Sequence, residues 1–144
     1  LIVSILPVFP LVRRAEQRGE VRGLFLTMIG TLAVSLALLS SLHTQPLGLV
    51  AAMGLYFIAF NCLEGMLPSL ISRRAPPDRR GAALGVYSSA QFLGPMFGGS
   101  LIGAVKGHWG LSAAFAVASL LPLIWLTFAV PLAAPAVRAP LTTK

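Results

Sequence analysis

Long apolar stretches separated by short polar gaps make up most of the chain. Four of them, at about 24–42, 47–71, 81–105 and 111–133, are long enough to cross a bilayer as helices, which takes about 20 residues. A shorter apolar stretch, at about 1–12, precedes them. None shows strand-like alternation, and backbone groups within a bilayer must pair inside their own segment. The pattern predicts an all-α membrane protein, a polytopic bundle of transmembrane helices.

The basic residues lie on one side of this alternating series. Ten of the 11 Lys and Arg residues fall in the gaps at 13–22, 72–80 and 134–144, whereas the gaps at 42–46 and 106–110 hold only Lys106. Because cytoplasmic loops carry the excess of positive charge, the basic gaps and the tail at 134–144 are predicted to be cytoplasmic. The predicted topology anchors are Arg13, Arg14, Arg18, Arg22, Arg73, Arg74, Arg79 and Arg80.

Composition agrees with a lipid environment, because 56% of residues are hydrophobic, 10% are charged and the mean hydropathy is +0.85. The net charge of +7 follows from the positive-inside pattern, so we predict membrane lipids and no nucleic acid as partners.

Cys62 is the single cysteine and is predicted to be a small packing residue. No cluster of catalytic or metal-ligating side chains is present in the pattern, so we predict neither an enzyme, a cofactor nor a metal site.

The chain starts at Leu1 inside an apolar stretch, without an initiator Met or a short basic segment before it. We therefore expect a piece of a longer protein that begins part-way through a helix and reaches a natural end in the Pro-rich tail.

Polar side chains inside the two middle spans are the candidate substrate or proton pathway. Asn61 and Glu64 lie one helical turn apart in one span, and Tyr87 and Gln91 lie one turn apart in the next. Polar groups at membrane depth face protein or a water-filled cavity, so these two helices are expected to line the interior. Glu64, the single acidic residue in any span, either carries protons or attracts a cation, or alternatively only holds the bundle together. Asn61 either binds substrate or orients the carboxylate, with interhelical packing as the alternative.

Prolines and glycines predict kinks and close packing in the same two helices. Pro68 follows Glu64 by four residues and Pro95 follows Gln91 by four, so each proline leaves the carbonyl of the polar residue without its helical partner. Small residues at four-residue spacing allow helix backbones to approach closely in lipid. The glycines predicted to pack in this way are Gly81, Gly85, Gly94, Gly98 and Gly99.

Two stretches, residues 57–72 and 81–99, resemble the tenth and eleventh helices of major facilitator superfamily transporters, particularly bacterial proton-coupled exporters of the drug-antiporter type. The second stretch also resembles the antiporter motif of the family's fifth helix, with Ala90 in place of one glycine. Residues 16–22 resemble a degraded form of the family's hallmark loop. The resemblance implies that the four complete spans are helices nine to twelve and that residues 1–12 end the eighth. Residues 1–133 would then be part of the C-terminal six-helix half, followed by the tail.

By this resemblance, the parent protein is expected to move a small molecule across the bacterial inner membrane by alternating access, exporting it in exchange for protons. The missing N-terminal half of the same chain would be the main partner, with the substrate and protons as ligands. A proton-independent facilitator or an importer of the same fold is one alternative. A small self-assembling membrane scaffold or channel subunit is another.

Overall fold

The structure, a computed structural model, describes residues 8–18 and 20–132, and it is helical in nearly all of them. The predicted residues 1–7 of the first partial span and the tail at 134–144 lie outside the described residues. The described elements are, in chain order, α1 (Val8–Arg18), α2 (Val21–Leu42), α3 (Pro46–Arg74), a short 3₁₀ turn (Pro77–Arg79) and α4 (Arg80–Leu132). The fold is therefore the predicted all-α bundle.

The helices α2 and α3 follow the predicted spans closely, and each is long and apolar enough to cross a membrane. They are joined by the expected short turn, after which Pro46 opens α3 at a position where its missing N–H costs nothing. At the other end of α3, Ala75 is extended because it precedes Pro76, and its N–H caps the helix through the carbonyl of Ile71 at 2.9 Å. These boundaries follow from local chemistry that can be read in the sequence.

The helix α4 contains both of the last two predicted spans. Residues 106–110 form a gap between two predicted spans, where the chain is expected to turn. They are helical as far as Trp109, and the chain direction changes at Gly110 alone. Gly110 has φ 84° and ψ 179°, a conformation that is essentially restricted to glycine. A single glycine thus replaces the expected five-residue turn, and it divides α4 into an N-terminal segment (residues 80–109) and a C-terminal segment (residues 111–132).

The first basic gap also differs from expectation. Residues 13–22 were expected to lie between spans, but α1 continues to Arg18 and α2 already begins at Val21. Arginine is a good helix former and can carry its charge to the membrane surface on a long apolar stem, so a helix does not have to end where its arginines begin. Between these two helices, Glu20 is the one described residue outside a helix, and its N–H donates to the carbonyl of Ala15 at 2.9 Å.

The helix α2 lies at the centre of the described bundle, where it packs against both α3 and the C-terminal segment of α4. The buried core contains Ile29 from α2, Cys62 and Met66 from α3, and Ala129 from α4. Cys62 is 1% exposed and contacts Met66 with a sulfur–sulfur distance of 3.7 Å, in agreement with its predicted packing role.

Contacts at both ends of the bundle show that α2 and the C-terminal segment of α4 are antiparallel. At one end, the hydroxyl of Ser40 donates to the carbonyl of Ser112 at 2.8 Å, and the hydroxyl of Ser112 donates to the carbonyl of Ser40 at 2.7 Å. At the opposite end, Arg22 donates to the carbonyl of Val130 at 3.3 Å. The end that carries Arg22 is the end that the positive-inside pattern predicts to be cytoplasmic.

Candidate functional site

A hydrogen bond joins the two middle spans through their polar side chains. The amide nitrogen Nε2 of Gln91 donates to the carboxylate oxygen Oε1 of Glu64 at 3.0 Å. Within the described residues, Glu64 forms no ion pair with a lysine or arginine. The glutamine amide is neutral, so this contact satisfies one lone pair of the carboxylate without neutralising its charge.

This pair lies in the wall of an open cleft of about 760 Å³ between α3 and the N-terminal segment of α4. The described lining contains one acidic side chain and no basic one, and its remaining members are mostly apolar or aromatic. A cleft of this size is within the usual range for small-molecule sites. The lining residues are Leu32, Phe60, Leu63, Glu64, Leu67, Tyr87, Ala90, Gln91, Phe92, Gly94, Pro95 and Trp125.

Three of the four predicted pathway residues meet in this cleft, and the fourth does not. Glu64 and Gln91 are bonded to each other, and the half-buried Tyr87 lines the cleft one turn before Gln91. Asn61 is absent from the described lining, and its amide donates to the carbonyl of Phe57 in its own helix at 2.7 Å. A bond of this kind ties an amide to the preceding turn. The expectation that Asn61 orients the carboxylate of Glu64 therefore gains no support from this contact.

Both prolines lie inside helices, and the kinks expected at Pro68 and Pro95 stay a prediction. Pro68 and Pro95 keep helical backbone angles, and the one non-helical residue within the described part of α4 is Gly110. Neither proline interrupts its helix, so each acts by removing one backbone hydrogen bond next to the Glu64–Gln91 pair.

The glycine-rich surface of the N-terminal segment of α4 is not packed against any described helix. At each of the five predicted packing glycines, an added Cβ would meet no heavy atom within 4 Å. Large apolar side chains on the same segment are also exposed, with Phe92 at 79% and Phe97 at 65%. The described residues thus leave this segment largely uncovered, and close packing at Gly81, Gly85, Gly94, Gly98 and Gly99 stays a prediction.

The contribution of α2 and of the C-terminal segment of α4 to the cleft could not be seen in the sequence. Only the two middle spans were expected to line the interior, but Leu32 of α2 and Trp125 of α4 also line the cleft beside Glu64. Trp125 is held by an edge-to-face contact with Phe25, with ring centroids 5.7 Å apart and planes at 89°. An aromatic residue in an apolar span has no local signal for which side of its helix faces the interior.

Comparison with known proteins identifies the family. The family model described as the Major Facilitator Superfamily matches residues 1–144, so the chain belongs to this superfamily. It is 36% identical over 129 residues to the inner membrane transport protein YajR of Escherichia coli (strain K12), which covers 90% of this chain and 28% of that protein. It is also 40% identical over 58 residues to an uncharacterized transporter of Buchnera aphidicola subsp. Acyrthosiphon pisum, covering 40% of this chain and 15% of the relative.

The chain therefore spans less than a third of the length of these relatives. Family membership and the apolar helices establish a multi-pass membrane protein. The matched relatives are named as transport proteins, which confirms the prediction that this chain is not an enzyme.

Proposed function

We propose that this chain is part of the C-terminal half of a proton-coupled exporter of the bacterial inner membrane, which works by alternating access. In this proposal, residues 1–133 form part of the transmembrane domain, the tail at 134–144 is cytoplasmic, and the missing N-terminal half covers the exposed segment of α4. The substrate is a small molecule, and Glu64 is the group that binds and releases the proton. The hydrogen bond between Glu64 and Gln91 is the observation that carries the proposal.

Its position gives this bond a mechanical consequence. It connects α3 to the N-terminal segment of α4 in the wall of the cleft, and α3 and α4 otherwise share few contacts. A hydrogen bond to an ionised carboxylate is stronger than one to a neutral carboxyl group. Protonation of Glu64 therefore weakens the hydrogen bond that holds the two helices together. In this way, binding of the proton favours a wider separation of the helices and a wider cleft.

The glutamine is suited to this role because its amide both donates and accepts hydrogen bonds. It donates to the ionised carboxylate, and after protonation its oxygen can accept the carboxyl proton. Either protonation state of Glu64 can thus be satisfied without a second charged residue. Tyr87 adds a hydroxyl to the same wall, where it can bind substrate or water.

Replacement of Glu64 by Gln in the full-length protein tests the assignment. The assay is accumulation of ethidium and a panel of other dyes in everted membrane vesicles, with and without an imposed pH gradient. We expect the Glu64→Gln protein to lose the dependence on the pH gradient, because an amide in place of the carboxyl cannot exchange a proton. Glu20→Gln is the matched control, since Glu20 is an exposed acid outside the cleft.

Gradient-dependent transport that persists in Glu64→Gln would remove this residue from the coupling role. Transport by the unmodified protein that ignores the gradient altogether would instead favour a proton-independent facilitator of the same fold.

A further inference from the structure

A second cleft lies at the end of the bundle that carries Arg22 and Arg74. It has a volume of about 510 Å³ and lies between the start of α2, the end of α3 and the C-terminal segment of α4. Its body is apolar and aromatic, with Phe25, Leu70 and Trp125 in the lining. Arg22 and Arg74 are the only charged residues in the described lining. The cleft thus combines an apolar interior with two positively charged side chains.

These two arginines retain most of their hydrogen-bonding capacity. Arg22 gives one N–H to the carbonyl of Val130 at 3.3 Å, and a guanidinium has five N–H donors. Arg74 forms no hydrogen bond or ion pair with any other described residue. Both side chains are exposed, and the described lining provides no carboxylate to neutralise them. The site is therefore complementary to an anion with several acceptor oxygens.

The position of the arginines along their helices favours a lipid over a free anion. Arg22 is the second residue of α2 and Arg74 is the last residue of α3, so both lie where a membrane helix meets the headgroups. Phe25 lies about one helical turn deeper than Arg22, beside Trp125. A free anion would bind the two arginines and leave the apolar part of the cleft empty. A phospholipid would bind the arginines with its phosphate and fill the apolar part with an acyl chain.

We propose that this cleft binds an anionic phospholipid of the inner leaflet, with its phosphate between Arg22 and Arg74 and an acyl chain against Phe25 and Trp125. Anionic headgroups are attracted to basic pockets between transmembrane helices on the cytoplasmic side. Trp125 borders both clefts, but neither Glu64 nor Gln91 is in the described lining of this one, so the inference does not depend on proton coupling. It requires only that the chain lies in the membrane with its arginine-rich end inside.

The test is a titration of the full-length protein, purified in a lipid-free detergent, with dioleoyl phosphatidylglycerol and with dioleoyl phosphatidylcholine, followed by native mass spectrometry. We expect phosphatidylglycerol to bind more tightly. A basic residue near an anionic surface contributes about 1 kcal/mol, or about fivefold in affinity, so Arg22→Gln with Arg74→Gln should weaken binding about thirtyfold. The matched control is Arg13→Gln with Arg80→Gln, which removes two exposed arginines outside the cleft.

Two further results decide whether the occupant is a lipid. Ala83→Phe, which adds a ring to the lining of the cleft and leaves both arginines, should reduce phosphatidylglycerol binding while the protein still elutes as a single species. Inorganic phosphate should compete weakly. Equal losses in the two double variants would reduce the effect to general surface charge and overturn the proposal. Unchanged binding in Arg22→Gln/Arg74→Gln would show that the lipid binds elsewhere and would overturn the proposal. Full competition by phosphate would assign a free-anion site instead.

Discussion

Replacing Gln91 with Met isolates the contribution of the bond between α3 and α4. Methionine is similar in length and has no side-chain N–H, so the carboxylate of Glu64 loses the partner that lies at 3.0 Å. The carboxyl group that we propose to bind the proton is left in place. The variant therefore separates the binding of a proton from its effect on the helices.

The size of the effect follows from the two protonation states. A hydrogen bond to an ionised group contributes about 1.5–3 kcal/mol and a neutral one about 0.5–1.5 kcal/mol. Because Glu64 and Gln91 are both exposed in the cleft, we take the difference as about 1 kcal/mol. A difference of this size shifts an equilibrium about fivefold. In the unmodified protein, acid pH should therefore raise the ratio of separated to bonded helices about fivefold over alkaline pH.

The assay is the distance distribution between spin labels on the two helices, measured by pulsed electron resonance at acid and alkaline pH. Leu47 and Leu101 are suitable positions, because both are exposed and they lie on α3 and on the N-terminal segment of α4. Cys62 is replaced by Ala to avoid a third label. We expect Gln91→Met to remove the dependence of the distribution on pH. If the variant keeps the same shift as the unmodified protein, the bond does not transmit the protonation state.

Three further predictions concern the scaffold, each measured as the thermal stability of the full-length protein in detergent. Ser40→Ala and Ser112→Ala should each destabilise by about 1 kcal/mol and be less than additive together, because they break the same reciprocal pair; additive losses would contradict a shared contact. Gly110→Ala should cost about 1–3 kcal/mol because of the positive φ, whereas the helical Gly107→Ala should be tolerated; equal effects would exclude backbone strain. Gly99→Leu should lower stability if the missing half packs there, and an unchanged or higher stability would leave this surface open to lipid.

The boundaries of α2 and α3 were predictable because they depend on neighbouring residues. An apolar stretch of sufficient length, Pro46 at the start of a helix and Pro76 after the end of one are local signals, and the structure follows them. The change of direction at Gly110 was harder to place. The five residues from Lys106 contain three that suit a turn, namely Gly107, His108 and Gly110, and nothing local shows that the last glycine alone is sufficient.

The sequence predicts which polar residues belong to the candidate site, but not how they are arranged or which of them bond to each other. Burying polar groups in a bilayer is costly, which is why Glu64 and Gln91 were identified together. Helical spacing cannot determine that they bond to each other, because this depends on the rotation of two helices about their axes. The same limit applies to Trp125, whose place in both clefts is fixed by the packing of α4 on α2. Asn61 was also selected as a polar residue inside a span, yet its amide donates a hydrogen bond to the carbonyl of Phe57 in its own helix.

The central claim is that Glu64 exchanges a proton in the cleft, and infrared difference spectroscopy of the full-length protein tests it without a substrate. The carbonyl stretch of a protonated carboxylic acid should appear as the pH falls, be absent from Glu64→Gln and persist in Glu20→Gln. Its frequency should change in Gln91→Met, because that variant removes the hydrogen bond to the same group. Spectra of Glu64→Gln that match those of the unmodified protein at every pH would contradict the account.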